Sequence, residues 1–293
     1  MITKKLFPLF AALCLMAAPA LAQHEQLDYS TVTNSKDFVD YEVIDLVCKR
    51  DGKNIFGKIY RPKCAGGKKV PMVIHAHGYN SSYGEPEPYA KGLAKSGYGC
   101  VVFDFCGGGN ASKSEGKTTE MSVFTEQADV EAVMKVVGKM KWVDKKKIFL
   151  MGYSQGGLVS SITAAANPKK IAGLILVYPA LLIGDHARNL HPKEAHTADS
   201  YNVMGLNISH VYYDRLLDYD VYADVKKFHG PVTIIYGDKD SVTGYNSMER
   251  AEAAFTTTEF HIIKDGTHGF PPSEHKIMTI NFALDFLNKY TKQ

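Results

Sequence analysis

The chain of 293 residues has one tryptophan, no block of like charge longer than Lys145-Lys146-Lys147, and, past residue 22, no uncharged apolar run of bilayer-spanning length. Its 34 basic and 31 acidic residues nearly cancel, to a net charge of +3, so neither nucleic acid nor an anionic membrane surface is expected as a partner. Internal repeats, low-complexity tracts and an interdomain linker are also missing, which argues against a solenoid or a string of modules. What is abundant is core-forming material. Hydrophobic residues make up 45% of the chain, with 17 Tyr and 14 Phe, enough to bury one large α/β domain.

The first 22 residues differ from the rest. Lys4 and Lys5 precede an apolar run over 6–18, and Ala20-Leu21-Ala22 supplies a small-residue cleavage site. This is the pattern of a signal peptide, so the mature chain is expected to begin near Gln23 and to be periplasmic or extracellular, with no stable membrane association. Cys14 follows Leu13 rather than a small residue, which disfavours lipid attachment there. Export leaves Cys48, Cys64, Cys100 and Cys106 where disulfides can form. Cys100 and Cys106 bracket an expected strand that holds them roughly 20 Å apart, too far to bond. A Cys48–Cys64 bridge and four separate thiols both stay open.

Past a polar leader, residues 41–49 alternate, Asp51-Gly52 signals a turn, and residues 55–61 return before Pro62, the pattern of a β-hairpin. Short, continuously apolar strands then appear at 72–74, 100–105, 148–151, 171–177, 232–236 and 260–263, separated by helical segments of which 123–137 is the clearest. Such alternation predicts an α/β fold, a mostly parallel sheet with helices on both faces and ligands at the carboxyl ends of its strands. One connection breaks the rhythm. Residues 179–231 exceed what a crossover helix requires and contain Tyr201, Tyr212, Tyr213, Tyr219 and Tyr222, so they are expected to form a lid or binding insertion.

Gly152-Tyr153-Ser154-Gln155-Gly156 follows the strand at 148–151 and precedes a helical run of small residues that stops at Asn167-Pro168. A G-x-S-x-G motif between a strand and a helix marks an exposed nucleophile, because the serine sits on a sharp turn that only glycine neighbours permit. A serine hydroxyl needs a base to take its proton and an acid to orient that base, and on this topology they follow in the order acid, then histidine. Gly237-Asp238-Lys239-Asp240 leaves the strand at 232–236. Asp240 is assigned as the acid, with Asp238 a turn former. Gly266-Thr267-His268-Gly269 leaves the last strand, and His268 is assigned as the base.

His75-Ala76-His77-Gly78-Tyr79 ends the strand at 72–74. No further ligand cluster accompanies His75 and His77, so a zinc site is not expected. The segment fits an oxyanion hole better, with the backbone N–H groups of Tyr79 and Gln155 as donors to a tetrahedral intermediate. Cys106-Gly107-Gly108-Gly109-Asn110 lacks the Lys-Ser/Thr of a phosphate loop and is expected to be a flexible loop lining the cleft. No cofactor or metal is called for.

His77-Gly78, Gly152-Tyr153-Ser154-Gln155-Gly156-Gly157, Gly237-Asp238-Lys239-Asp240 and Gly266-Thr267-His268-Gly269-Phe270 together resemble the α/β-hydrolase superfamily over nearly the whole mature chain. Within it the chain looks like the bacterial feruloyl (cinnamoyl) esterases with a short inserted lid. That resemblance implies a serine carboxylesterase acting on a small-molecule or oligosaccharide ester, whose phenolic ring is held under the lid by an Asp and a Tyr. Here those roles would fall to Asp185 and to Tyr212, with Tyr213 the alternative. Asp185-His186-Ala187-Arg188 departs from the family pattern. A general short-chain esterase or lipase would have a more apolar lid. A prolyl-oligopeptidase-like peptidase would carry a propeller, for which about 50 residues ahead of the core leave no room.

Overall fold

A computed structural model describes residues 27–35, 38–63, 67–189 and 199–292; the proposed signal peptide, Cys14 and Cys64 lie outside them. The expected N-terminal hairpin forms in two nested pieces. Strand β1 (Tyr41–Asp45) breaks at Leu46, and β2 (Cys48–Arg50) turns through Asp51 and Gly52, at φ of 49° and 83°, into β3 (Lys53–Ile55). Strand β4 (Gly57–Pro62) then returns antiparallel along β1. Cys48, Cys100 and Cys106 are buried free thiols.

From here strand and helix alternate: β5 (Val70–Ala76), α1 (Glu87–Lys95), β6 (Gly99–Phe103), α2 (Val123–Val137), β7 (Val143–Tyr153), α3 (Gln155–Ala166) and β8 (Gly173–Val177). The insertion carries α4 (Ile183–Asn189), the short hairpin β9 (Tyr201–Val203) and β10 (Leu206–Ile208), and α5 (Val221–Val225). Strand β11 (Val232–Gly237), α6 (Tyr245–Ala254), β12 (Thr258–Ile263) and α7 (Ser273–Thr291) complete the chain.

The eight-stranded sheet has the order β1-β4-β6-β5-β7-β8-β11-β12, and its neighbours pair in parallel from β6 to β12. Central strands β6, β8 and β11 are buried at every position, because helices cover both faces and leave no solvated side to call for polar alternation. Two apolar clusters flank the sheet. One holds Met72, Ile74, Leu150, Leu174 and Ile234 against α2 and α3; the other holds Val73, Phe149, Ile175 and Ile235 against α1 and α7. Helix α2 is anchored by a capping box in which the Ser122 and Thr125 hydroxyls each accept the other's backbone N–H. Its start is thereby fixed next to the nucleophile turn. Among the described residues, no helix is long and apolar enough to cross a membrane.

Candidate active site

Strand β7 ends at Tyr153 and α3 begins at Gln155, so the chain reverses on Ser154 alone, at φ 49° and ψ −117°. A non-glycine residue there is strained, and the neighbours show what holds it. The Ser154 N–H donates to Val177 O at 3.1 Å, and its carbonyl accepts from Gly157 and Ala180, each at 2.9 Å. A Cβ on Gly152 would lie 2.2 Å from Gly156 O, and one on Gly156 would lie 2.0 Å from Ala76 O. Both glycines are therefore demanded by the close passage of α3 over β7 and the end of β5.

Strand β11 delivers the Asp238–Asp240 turn, and β12 delivers His268. The two turns are tied to each other, since Lys239 N–H donates to Gly266 O at 3.0 Å and a Cβ on Gly237 would meet that same oxygen at 2.1 Å. Asp240 is buried and Asp238 exposed. Asp240 Oδ2 lies 2.8 Å from His268 Nδ1, and His268 Nε2 lies 3.0 Å from Ser154 Oγ. Because the buried carboxylate only accepts, Nδ1 carries the proton and Nε2 is left to accept from the serine hydroxyl. Burial opposes the charge on Asp240. The hydrogen bond and charge of His268, with the N–H groups of Thr243 and Val242, outweigh it and hold the carboxyl below its usual range.

On the other side of Ser154 lies the turn after β5. A Cβ on Gly78 would sit 3.3 Å from Ser154 Cβ, so this turn passes directly over the nucleophile. The Gln155 N–H, as the first of α3, has no intrahelical acceptor. His77 is fully buried with both ring nitrogens engaged: Nδ1 donates to Gly78 O at 2.8 Å and Nε2 accepts from Phe105 N–H at 3.1 Å. It braces the turn after β5 against the segment after β6.

The segment after β6, expected to be flexible, is instead buried from Asp104 to Gly109. Asp104 accepts from the N–H groups of Tyr83 and Lys113 at 2.6 and 2.7 Å, and Asp129 accepts from Cys106 N–H at 2.8 Å, so side-chain carboxylates pin its backbone.

The residues expected to bind the phenolic ring have different partners. Tyr212 is buried, stacked edge-on against Tyr79 at 5.8 Å, and donates its hydroxyl to Gln155 Oε1, behind the oxyanion turn. Asp185 lies on α4. Its carboxylate pairs with Arg188 at 2.6 Å and Arg250 at 2.5 Å, which ties the insertion to α6. Tyr213 packs on Tyr212 and Tyr201.

Two residues at the site had escaped attention. Glu85 accepts the Gly78 N–H at 2.7 Å and, on its other oxygen, the Tyr178 hydroxyl at 3.4 Å. The Tyr178 ring lies 4.8 Å from that of His268, at φ 38°, and forms the bed of the base. A tyrosine closing β8, at the nucleophile's strand level, was the available signal for the second; Glu85 had none.

Comparison with known proteins agrees with this architecture. Residues 67–205 match the family described as serine aminopeptidase, S33. Human monoglyceride lipase is 29% identical over 147 residues and the rat protein 27% over 145; the matches cover 49% of this chain and 45% of each lipase. The aligned region thus spans under half the length of these relatives. Among solved structures, Est1E of Butyrivibrio proteoclasticus with ferulic acid bound superposes with a TM-score of 0.75 at 24% identity, over 85% of this chain and 100% of that one. Dienelactone hydrolase of Anabaena variabilis superposes with 0.64 at 13% identity, over 86% and 99%. In its strand order, its nucleophile turn and these superpositions, the chain has the α/β-hydrolase fold.

Proposed function

We propose that this chain is an exported serine esterase that hydrolyses hydroxycinnamoyl (feruloyl-type) esters through an acyl-enzyme on Ser154. The observation that carries the chemistry is the unbroken hydrogen-bond chain from Asp240 through His268 to Ser154 Oγ. Ser154 Oγ attacks the ester carbonyl carbon while His268 Nε2 takes the hydroxyl proton. Negative charge collects on the former carbonyl oxygen, facing the N–H groups of Tyr79 and Gln155. His268 then returns the proton to the leaving alkoxide. Water then adds to the acyl carbon as His268 Nε2 takes one of its protons; the bond from the acyl carbon to Ser154 Oγ breaks, the acid leaves, and His268 returns the proton to Oγ.

The acyl group is inferred from the wall of Tyr79, Tyr201, Tyr212 and Tyr213 beside the oxyanion turn, and from the likeness to a structure that holds ferulic acid. A second reading, hydrolysis of monoacylglycerols, draws on the matches to monoglyceride lipases. Methyl ferulate, methyl caffeate, a short p-nitrophenyl ester, a monoacylglycerol and an aminoacyl anilide, assayed side by side, separate these. We expect kcat/KM on the two hydroxycinnamates to exceed the others at least about tenfold, within what differential contacts in one pocket provide. Hydrolysis of the short ester with both hydroxycinnamates untouched would discard the proposed acyl group, and a best rate on the monoacylglycerol would install the second reading. Export is supported by the leader over residues 1–22; an exported protein whose first residue is Gln23 is the expected product.

A further inference from the structure

Glu126 is a charged residue type buried to zero exposure, and neither proton transfer nor nucleophilic attack calls on it. It stands in the first turn of α2, held there by the Ser122 capping box, and reaches across to α3. Its Oε2 accepts from Gln155 Nε2 at 2.8 Å, and the oxygen of that amide, Gln155 Oε1, accepts from the Tyr212 hydroxyl. Gln155 is also fully buried, and Tyr212 nearly so. The Gln155 side chain is thus clamped at both ends, by a carboxyl from the sheet-side helix and by a phenol from the insertion, while its own backbone N–H is an oxyanion donor.

Removal of either clamp leaves a buried amide atom without a partner, so the amide must rotate or draw in water. The N–H on the same residue then loses its aim. The acid itself suits the place: burial, with Asp129 one turn along adding to it, pushes Glu126 well above the usual carboxyl range against the hydrogen bond from Gln155. That shift favours the protonated form, which places less negative charge behind a site that must accept an oxyanion. Its second oxygen has no hydrogen-bond partner among the described residues and lies beside Gly108, where a Cβ would approach it to 3.4 Å.

Resting on the serine-esterase reading, we infer that Glu126 is a positioning residue which, through the Gln155 amide and Tyr212, holds the oxyanion donor of Gln155 in register with the insertion.

The test is steady-state and burst kinetics of the full chain on p-nitrophenyl acetate, with melting temperature measured in parallel. Glu126→Ala and Gln155→Met each break the clamp while keeping the backbone donor. We expect each to lower kcat about tenfold to hundredfold, a fraction of what loss of a whole oxyanion donor costs, with KM within about twofold. The double variant should be no worse than the poorer single, because both remove one interaction. Glu126→Gln, a neutral group with the same acceptor, should restore kcat to within about threefold of wild type. Val130→Ala, a buried cavity variant on the same helix, should lower the melting temperature as much as Glu126→Ala with kcat unchanged. If Glu126→Ala loses only stability, or if Glu126→Gln fails to restore kcat, Glu126 is not a positioning residue. Should Glu126→Ala not fold, Gln155→Met decides, and full kcat in that variant overturns the inference. A wild type with no Ser154-dependent burst would instead remove the esterase reading, and this inference with it.

Discussion

The two walls around Ser154 are made by different means. On the sheet side, backbone meets backbone: Gly156 under Ala76 O, Gly237 against Gly266 O, and Ser154 hydrogen-bonded to Val177, Gly157 and Ala180. On the insertion side, side chains make the contacts. Tyr79 hydroxyl reaches Val203 O at 3.0 Å, Asn110 reaches Gly205 O at 2.8 Å, Tyr212 reaches Gln155, and Asp185 is shared by two arginines. A wall of backbone contacts tolerates almost no substitution and fixes the reacting atoms; a wall of side-chain contacts can be redrawn residue by residue. The first suits chemistry, the second selectivity, and substitutions should divide accordingly.

The largest effect belongs to the sheet side. Asp240→Asn keeps the shape of the turn but offers His268 Nδ1 a donor or a weaker acceptor, and by analogy with other serine-histidine-aspartate sites kcat should fall about 10⁴-fold with KM nearly constant. The same substitution has a thermodynamic signature. The folded protein holds the Asp240 carboxyl below its ordinary value, so it binds fewer protons there than the unfolded chain does. The stability this adds is complete above pH about 4, the ordinary aspartate range, and disappears as pH falls through the lowered value. The melting-temperature gap between wild type and Asp240→Asn should therefore narrow on acidification below pH 4. A gap that widens there would mean that Asp240 is not held ionised by His268.

Glu85 sits where the two walls meet and should give an intermediate effect. It holds the Gly78 N–H at 2.7 Å and touches the tyrosine that supports His268. Glu85→Ala frees the turn that carries the Tyr79 donor, for an expected drop in kcat of about tenfold with substrate affinity kept, and Glu85→Gln, which retains an acceptor, should recover most of it. An unchanged kcat in Glu85→Ala would show that Gly78 is held by packing against Ser154 and His77 alone.

How much of this could be read from residues alone follows the same division. Ser154, Asp240 and His268 each leave the carboxyl end of a short apolar strand on a glycine-flanked turn, so local pattern and topology sufficed to nominate them. A mostly parallel sheet with helices on both faces followed from the same rhythm. Glu126 and Glu85 were illegible because their roles arise from contacts to residues distant in the chain, and a glutamate in a helix's first turn reads as a solvated cap until burial is known. The buried turn after β6 was misjudged for a related reason: its glycines suggest mobility, whereas the carboxylates of Asp104 and Asp129 that immobilise it come into view only once folded. Asp185 was nominated by likeness to a family, and its two ion pairs were not readable from the sequence.

Asp185 also sets the smallest predicted effect. Its carboxylate is divided between Arg188 and Arg250, side chains 37% and 54% exposed, and Arg250 lies 4.0 Å over the ring of Tyr222. Exposed ion pairs of this kind contribute about 0–1 kcal/mol each, so Asp185→Asn should cost little stability. If the pair works only as a tether between the insertion and α6, Asp185→Asn and Arg250→Ala should act alike, each raising KM for methyl ferulate about twofold to threefold, and the double variant should match the singles. If Asp185 instead holds a phenolic hydroxyl, Asp185→Asn alone should lose selectivity for methyl ferulate over methyl cinnamate, which lacks that hydroxyl, while Arg250→Ala, by releasing the carboxylate, should sharpen it. The ratio of the two rates in the two variants thus reports whether the insertion's acid is a strut of the movable wall or part of the surface that reads the substrate.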